Sequence, residues 1–245
     1  MTKKQDIIYP KEKDYKEQMM ERIFERTEKL IGEKGMQKLS NSTVAVFGLG
    51  GVGSAATEAL ARAGIGHIVL VDNDKVTFSN INRQLIATHS TVGQYKVEAM
   101  ELRIKDINPF CQVEKFPVFY QRNTKIDFTL FDYILDCIDT VDSKTALIDM
   151  ADICNVPIIS SMGTGNRLVA DFTIADIYKT SGCPLARTVR HKLKEIGIKK
   201  LKTLYSPSKP VETLTNPIAS ISFVPPVAGY LMAGEVVRDL LKTVL

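Results

Sequence analysis

Gly48-Leu49-Gly50-Gly51-Val52-Gly53 fits G-x-G-x-x-G. It lies between a β-rich run, Thr43 to Phe47, and an Ala-rich helical pattern, Ser54 to Ala63, that stops at Gly64. Glycines at such a junction let backbone amides and a helix N-terminus approach a phosphate. Asp72 closes the next apolar run, His67 to Val71, about 20 residues later, where a carboxylate can accept hydrogen bonds from ribose hydroxyls. A tight turn with no ligand would need neither the acid nor the flanking strand and helix. The fingerprint leaves the nucleotide open.

Asp74, the stretch Ser79-Asn80-Ile81-Asn82-Arg83-Gln84 and Gly93-Gln94-Tyr95-Lys96 follow. A dinucleotide site needs none of them. Asn80, Arg83 and Lys96 bring an amide and two cations to the phosphates, a set suited to stabilising charge on a triphosphate undergoing displacement. Taken singly, each is an ordinary surface residue. Asp139 is expected at the end of a strand, Tyr133 to Ile138, the edge at which open α/β sheets place ligands. It suits either a magnesium ion bridging phosphates or the cap of the next helix, whereas Asp136 is read as structural.

These residues need a scaffold, and the pattern supplies one. Apolar positions at helical spacing over residues 14–39 predict a helix or two packed on the main body. Beyond the first two strands come a helix over Lys96 to Ile107, a strand at Gln112 to Phe116, a helix from about Ser143 to Cys154 and a strand at Pro157 to Ser161. Arg167 to Ala175 is expected to form a strand pair or an extended segment, a basic segment begins near Pro184, and a last helix spans Val227 to Leu241. Alternating strands and helices imply a doubly wound, Rossmann-like α/β fold, its sheet mostly parallel with helices on both faces, in a single domain over residues 1–245.

The chain of 245 residues is 44% hydrophobic and 24% charged, enough to bury a full core. Its net charge of +4 demands neither nucleic acid nor membrane. Cys111, Cys137, Cys154 and Cys183 form no Cys-x-x-Cys pair, which argues against a disulfide framework and a zinc ribbon. No apolar stretch follows the basic N-terminal residues, so no leader or anchor is expected there and the location is expected to be cytoplasmic. Residues 213–234 are uncharged throughout, but Pro217, Pro225, Pro226 and Asn216 argue against a membrane span.

Gly48 to Gly53, Asp72, Asp74, Asn80 to Gln84, Lys96 and Asp139 together resemble the ATP-binding set of the ubiquitin-activating-enzyme-like superfamily (ThiF, MoeB, HesA), which adenylates carboxylates. The resemblance implies that Asp139 binds magnesium and that Asn80, Arg83 and Lys96 contact phosphates. It further implies that an arginine, matched by Arg26, reaches in from the other subunit of a homodimer. It covers nearly the whole chain. Thr91-Val92-Gly93-Gln94, Ile107-Asn108-Pro109, Ile138-Asp139-Thr140-Val141 and Ile221-Ser222-Phe223-Val224-Pro225-Pro226-Val227-Ala228-Gly229 are similar to the motifs of one branch. Enzymes of that branch use ATP to activate the carboxylate of threonylcarbamoyladenosine in tRNA and close it into a ring. ATP and magnesium are the expected cofactors, with a monovalent cation left open.

The absence of Cys-x-x-Cys zinc pairs agrees with that branch, and an internal nucleophile in the substrate removes the need for a loop cysteine. Cys183 is read as structural. Related proteins often carry a cysteine in a downstream loop where this chain reads Thr203-Leu204-Tyr205-Ser206, so the sulfur-transfer partner implied by the branch lacks its cysteine here. Residues 187–209 hold eight Lys or Arg against Glu195 alone, a charge balance of +7 that suits an RNA backbone or a merely solvated face. His191 lies within this segment, while His67 and His89 are read as structural. Competing functions are adenylation of a sulfur-carrier protein's C-terminal glycine, an NAD-dependent oxidoreduction that leaves Asn80, Arg83 and Lys96 unexplained, and a nucleotide-sensing tRNA-binding protein without catalysis that would keep the glycine loop but tolerate loss of Asp139.

Overall fold

A computed structural model of the chain describes residues 12–212 and 218–244. The N-terminal residues considered for a leader, and the first five of the uncharged run, lie outside the described residues. No helix among those described is long and apolar enough to cross a membrane.

Seven strands form one sheet: β1 (Thr43–Phe47), β2 (His67–Val71), β3 (Gln112–Phe116), β4 (Tyr133–Asp136), β5 (Ile158–Ser161), β6 (Thr173–Asp176) and β7 (Lys202–Tyr205). Their order is β3-β2-β1-β4-β5-β7-β6, parallel throughout except for β6, which pairs antiparallel with β7 at the edge. The helices are α1 (Glu12–Ser40), α2 (Gly51–Ala63), α3 (Lys96–Ile107), α4 (Val141–Ile153), α5 (Pro184–Glu195) and α6 (Val224–Leu241).

Alternation along β1 sends Val44 and Val46 to the face packed with Leu60, Met100, Met232 and Val236 of α2, α3 and α6, and Ala45 and Phe47 to the other. The second face packs Leu147 and Ala151 of α4 with Tyr120, Phe128 and Phe131. Both faces are covered, which is why β1, β2 and β4 read as nearly unbroken apolar runs. α5 extends the second layer through Val189 and Leu193. The expected doubly wound fold is the observed one.

The sequence order reverses at β1, whose neighbours are β2 and β4. Chains leaving the C-terminal ends of β1 and β4 therefore diverge and open a crevice, the place where such sheets bind ligands.

Several boundaries differ from the expectation. The N-terminal segment is helical as expected, its run, Glu12–Ser40, broken at Gly32, where φ is +70°. α2 begins at Gly51 rather than Ser54, because the glycines already hold helical angles. α6 begins at Val224 rather than Val227, since prolines in a first turn forfeit only N–H groups that would have no helical partner. β4 ends at Asp136, short of Ile138. The region Arg167 to Ala175 yields a single edge strand.

α6 lies close on α2. A Cβ on Gly229 would sit 2.3 Å from the Val52 carbonyl oxygen, so the glycine closing the Ile221–Gly229 motif is a helix-contact residue.

Candidate active site

The crevice is walled by the Gly48–Gly53 loop on one side and the turn after β4 on the other. A Cβ on Gly53 would lie 1.8 Å from the Gly48 carbonyl oxygen, and one on Gly48, at φ +88°, would lie 2.7 Å from the Cys137 carbonyl oxygen. The loop is thus folded tightly on itself and against the β4 turn. Gly51 faces both Pro225 and the Arg83 backbone carbonyl, which brings the start of α6 and the Asn80–Gln84 stretch to the same loop.

Asp72 ties the loop to the next strand. Its Oδ2 accepts from the Leu49 N–H at 2.6 Å and its Oδ1 from the Asp74 N–H at 2.8 Å. Burial pushes its carboxyl above the usual range, against the opposing pull of Lys96 and these two N–H groups. Lys96, itself buried at the start of α3, has its ammonium 2.7 Å from Asp74 Oδ2 and 3.9 Å from Asp72 Oδ2. The cation therefore stands one carboxylate away from the glycine loop.

Asn80 closes a short 3-10 turn, Phe78–Asn80, its Oδ1 accepting from the Thr77 N–H at 3.1 Å. Arg83 donates to the Ser79 carbonyl at 3.0 Å and to Asn82 Oδ1 at 2.9 Å. Gln84 is buried, and its Oε1 has no hydrogen-bond partner among the described residues. Buried acceptors are rarely left so, and this one fits a site completed by a ligand or by ordered water.

Asp139 stands in the turn between β4 and α4, exposed, not at a strand end. The helix cap is Thr140, so the capping role weighed for Asp139 falls away. Its one side-chain bond among the described residues is a long one, from Thr140 Oγ1 at 3.4 Å. Among the described residues no cluster of three or more His, Cys, Asp or Glu could hold a metal by itself. A single open carboxylate in this turn is a donor set that would suit magnesium if phosphates and water completed its shell.

Arg26 is not brought to this cluster within the chain. Phe24, two residues earlier, is buried near Gly64 at the C-terminal end of α2, its ring 3.5 Å from where a Gly64 Cβ would be. The glycine loop is at the other end of that 13-residue helix, about 20 Å away.

The ThiF family profile matches residues 24–244. This chain belongs to the ThiF family. Among its ThiF-family relatives, the tRNA threonylcarbamoyladenosine dehydratase of Bacillus subtilis is 45% identical over 242 residues, covering 90% of this chain and 95% of the relative. The crystal structure of the Escherichia coli tRNA N6-threonylcarbamoyladenosine dehydratase TcdA in complex with AMP is similar at TM-score 0.88 and 31% identity, covering 92% of this chain and 96% of that one. The same enzyme in complex with ATP matches at TM-score 0.85 and 30% identity over the same shares. An adenylyltransferase and sulfurtransferase UBA4 of Vanderwaltozyma polyspora is 40% identical, but over only 57% of this chain and 32% of its own length.

Lys144 gives no functional signal in the sequence. It is completely buried, paired with Asp136 at 2.7 Å directly behind the Asp139 turn. A lysine in a helical pattern reads as surface, and its partner is not a helix-face neighbour. Two of the four thiols are held far from activation: burial, reinforced by Asp136, pushes Cys137 up to about 12, and burial does the same to Cys111. Cys183 is buried at the start of α5 against Gly163, as its structural reading requires.

The basic segment is not one patch. Arg190 donates to the Ile177 and Thr180 carbonyls at 3.2 and 3.0 Å, Lys192 pairs with Asp142, and Lys202 lies in β7 paired with Glu235 and Asp239. His191 is exposed, 3.4 Å from Glu195. Arg187, Lys194, Lys199, Lys200 and Lys209 are exposed.

Proposed function

We propose that this chain is an ATP-dependent tRNA threonylcarbamoyladenosine dehydratase. The observation that carries the reaction class is the gathering of Arg83, Lys96 and an open Asp139 around a glycine loop at the switch point of the sheet. The near end-to-end likeness to the Bacillus subtilis enzyme supports the substrate.

In this reading the Gly48–Gly53 amides and the N-terminus of α2 face the phosphates, and Asp72 accepts from the ribose hydroxyls. Lys96 turns from Asp74 toward the phosphates, with Asn80, Arg83 and Gln84 lining the same side. Asp139 would hold magnesium, which supplies charge neutralisation across the phosphates when bound. The substrate carboxylate attacks the α-phosphorus, pyrophosphate leaves, and a nucleophile within the modification attacks the activated carbonyl carbon and expels AMP. The carboxylate oxygen departs with AMP, so the nucleoside loses one water. Ring closure within one substrate gains from high effective concentration and needs no cysteine.

Arg26 cannot reach its own glycine loop, so its role requires a second copy whose α1 lies across the site. For the RNA, the exposed Arg187, Lys194, Lys199, Lys200 and Lys209 supply phosphate contacts.

Incubation with ATP and threonylcarbamoylated tRNA, followed by nucleoside mass analysis, tests the reading. Loss of one water from the nucleoside is expected, and an unchanged nucleoside alongside bound ATP would reject it. Adenylation of a sulfur-carrier protein shares the first half-reaction, and AMP release dependent on modified tRNA alone separates the two.

A further inference from the structure

Asp136 and Lys144 are charged, wholly inaccessible to solvent and absent from the set lining the glycine loop. Asp136 ends β4, Lys144 stands early in α4, and the turn holding Asp139 connects them. The Lys144 ammonium donates to Asp136 Oδ2 at 2.7 Å, Ser160 Oγ at 3.1 Å and the Ser161 carbonyl at 3.0 Å, using all three of its N–H bonds. Ser160 Oγ donates to the same carboxylate oxygen at 2.5 Å. The other oxygen, Oδ1, accepts from the Ile138 N–H at 3.1 Å.

Burying both ions is costly, and an apolar pair of similar volume is commonly as stable or more so. Stability alone therefore does not account for the pair. Its geometry does something an apolar pair cannot: one carboxylate joins the ends of β4 and β5 to α4 and, through its second oxygen, fixes the backbone of Ile138. Asp139 is the next residue. On the far side the backbone N–H of Lys144 donates to the Thr140 carbonyl at 3.0 Å, so the turn is held at both ends.

We infer that Asp136 and Lys144 are positioning residues that hold the β4–α4 turn so that the Asp139 carboxylate meets the metal–phosphate group of a bound nucleotide. This rests on the adenylation reading above. Groups that orient a metal-binding carboxylate typically contribute about 10- to 100-fold to metal affinity.

Two charge-free double variants separate positioning from stability. Asp136→Asn/Lys144→Met keeps an oxygen able to accept from Ile138, while Asp136→Leu/Lys144→Met does not. ATP dissociation constants are measured by calorimetry with and without magnesium, alongside thermal melts. Both doubles are expected to melt near the wild type and to bind ATP equally without magnesium. The magnesium enhancement should persist in the asparagine double and fall about tenfold or more in the leucine double. A folded leucine double with undiminished enhancement overturns the inference. Should that double not fold, Ser160→Ala, which frees the carboxylate on one side, carries the test: a raised magnesium requirement supports the inference and an unchanged one overturns it. A wild type that binds ATP with no magnesium enhancement rejects the metal role of Asp139 and this inference with it, whereas a wild type that binds no ATP at all rejects the nucleotide reading itself.

Discussion

Three of the four loop glycines have steric reasons to be glycine, and Gly50 has none. Gly48, Gly51 and Gly53 would each drive a Cβ to within 2.8 Å of another part of the chain. Gly50 has φ −73° and open space for 4 Å around the position a Cβ would take, so the fold would accept alanine there. That space lies at the N-cap of α2, where an anion would sit. Gly50→Ala should leave the melting temperature within about 2 °C, a small loss at the cap offsetting a small gain in chain entropy, while ATP affinity falls about tenfold. Gly53→Ala should fail to fold stably. Normal ATP binding by a folded Gly50→Ala protein would reject the phosphate role of the loop. Asp139→Asn should also fold normally, its side chain being exposed, yet lose about 100-fold in AMP release, since a neutral amide is a poor magnesium ligand. Near-normal AMP release would end the metal assignment. These residues are legible in the sequence because the glycine fingerprint and its acid are local patterns. Lys144 is not, because its meaning arises from contacts with Asp136 and Ser160 that only the fold creates.

At the scale of elements, strands buried on both faces are the readable ones: β1 and β2 begin and end where their apolar runs do. β7 is hidden in the sequence because it opens on Lys202 inside a basic run and is only four residues long. Its lysine pairs with Glu235 and Asp239 of α6, and Tyr133 donates to the same Asp239 at 2.7 Å. This cluster ties α6 to β4 and β7. Burial works against the Asp239 carboxylate, but hydrogen bonds from Lys202, Lys242 and Tyr133 outweigh it and hold its pKa down to about 2. A depressed carboxyl stabilises the fold above its unfolded pKa of about 4 and loses that contribution as pH falls through its folded value. Asp239→Asn should therefore lower the melting temperature at pH 6 by a few degrees, corresponding to about 1 kcal/mol after solvent screening. The gap to wild type should narrow between about pH 4 and pH 2. A gap that is constant over that range would show that the cluster contributes packing rather than charge.

The whole molecule sets two distances that no motif contains. The first separates Arg26 from its own glycine loop by the length of α2. If the arginine acts on the other copy's site, Arg26→Ala and Asp139→Asn subunits, each inactive alone, should regain activity when mixed, because one of the two sites in the heterodimer then has both groups. Verified heterodimers without activity would reject that arrangement. The second distance concerns the RNA surface. Lys199 and Lys200 precede β7 and so lie at the N-terminal edge of the parallel strands, opposite the crevice. There Lys194, Lys199, Tyr178, Gly197 and Ile198 line a shallow depression of about 440 Å³, with the Lys194 ammonium 5.8 Å from the centre of the Tyr178 ring. Lys202 belongs to the α6 cluster, so reversing its charge would confuse folding with binding. Lys199→Glu/Lys200→Glu leaves that cluster and the nucleotide site untouched. Lysines that contact phosphates release counterions, so the double variant should flatten the log–log dependence of tRNA binding on salt by about 0.7 to 0.9 per lost contact. The apparent Michaelis constant for tRNA should rise and ATP affinity should hold. A variant that folds, binds ATP and shows the wild-type salt slope would make this edge a solvated face and shift the RNA contacts toward Arg187 and Lys209.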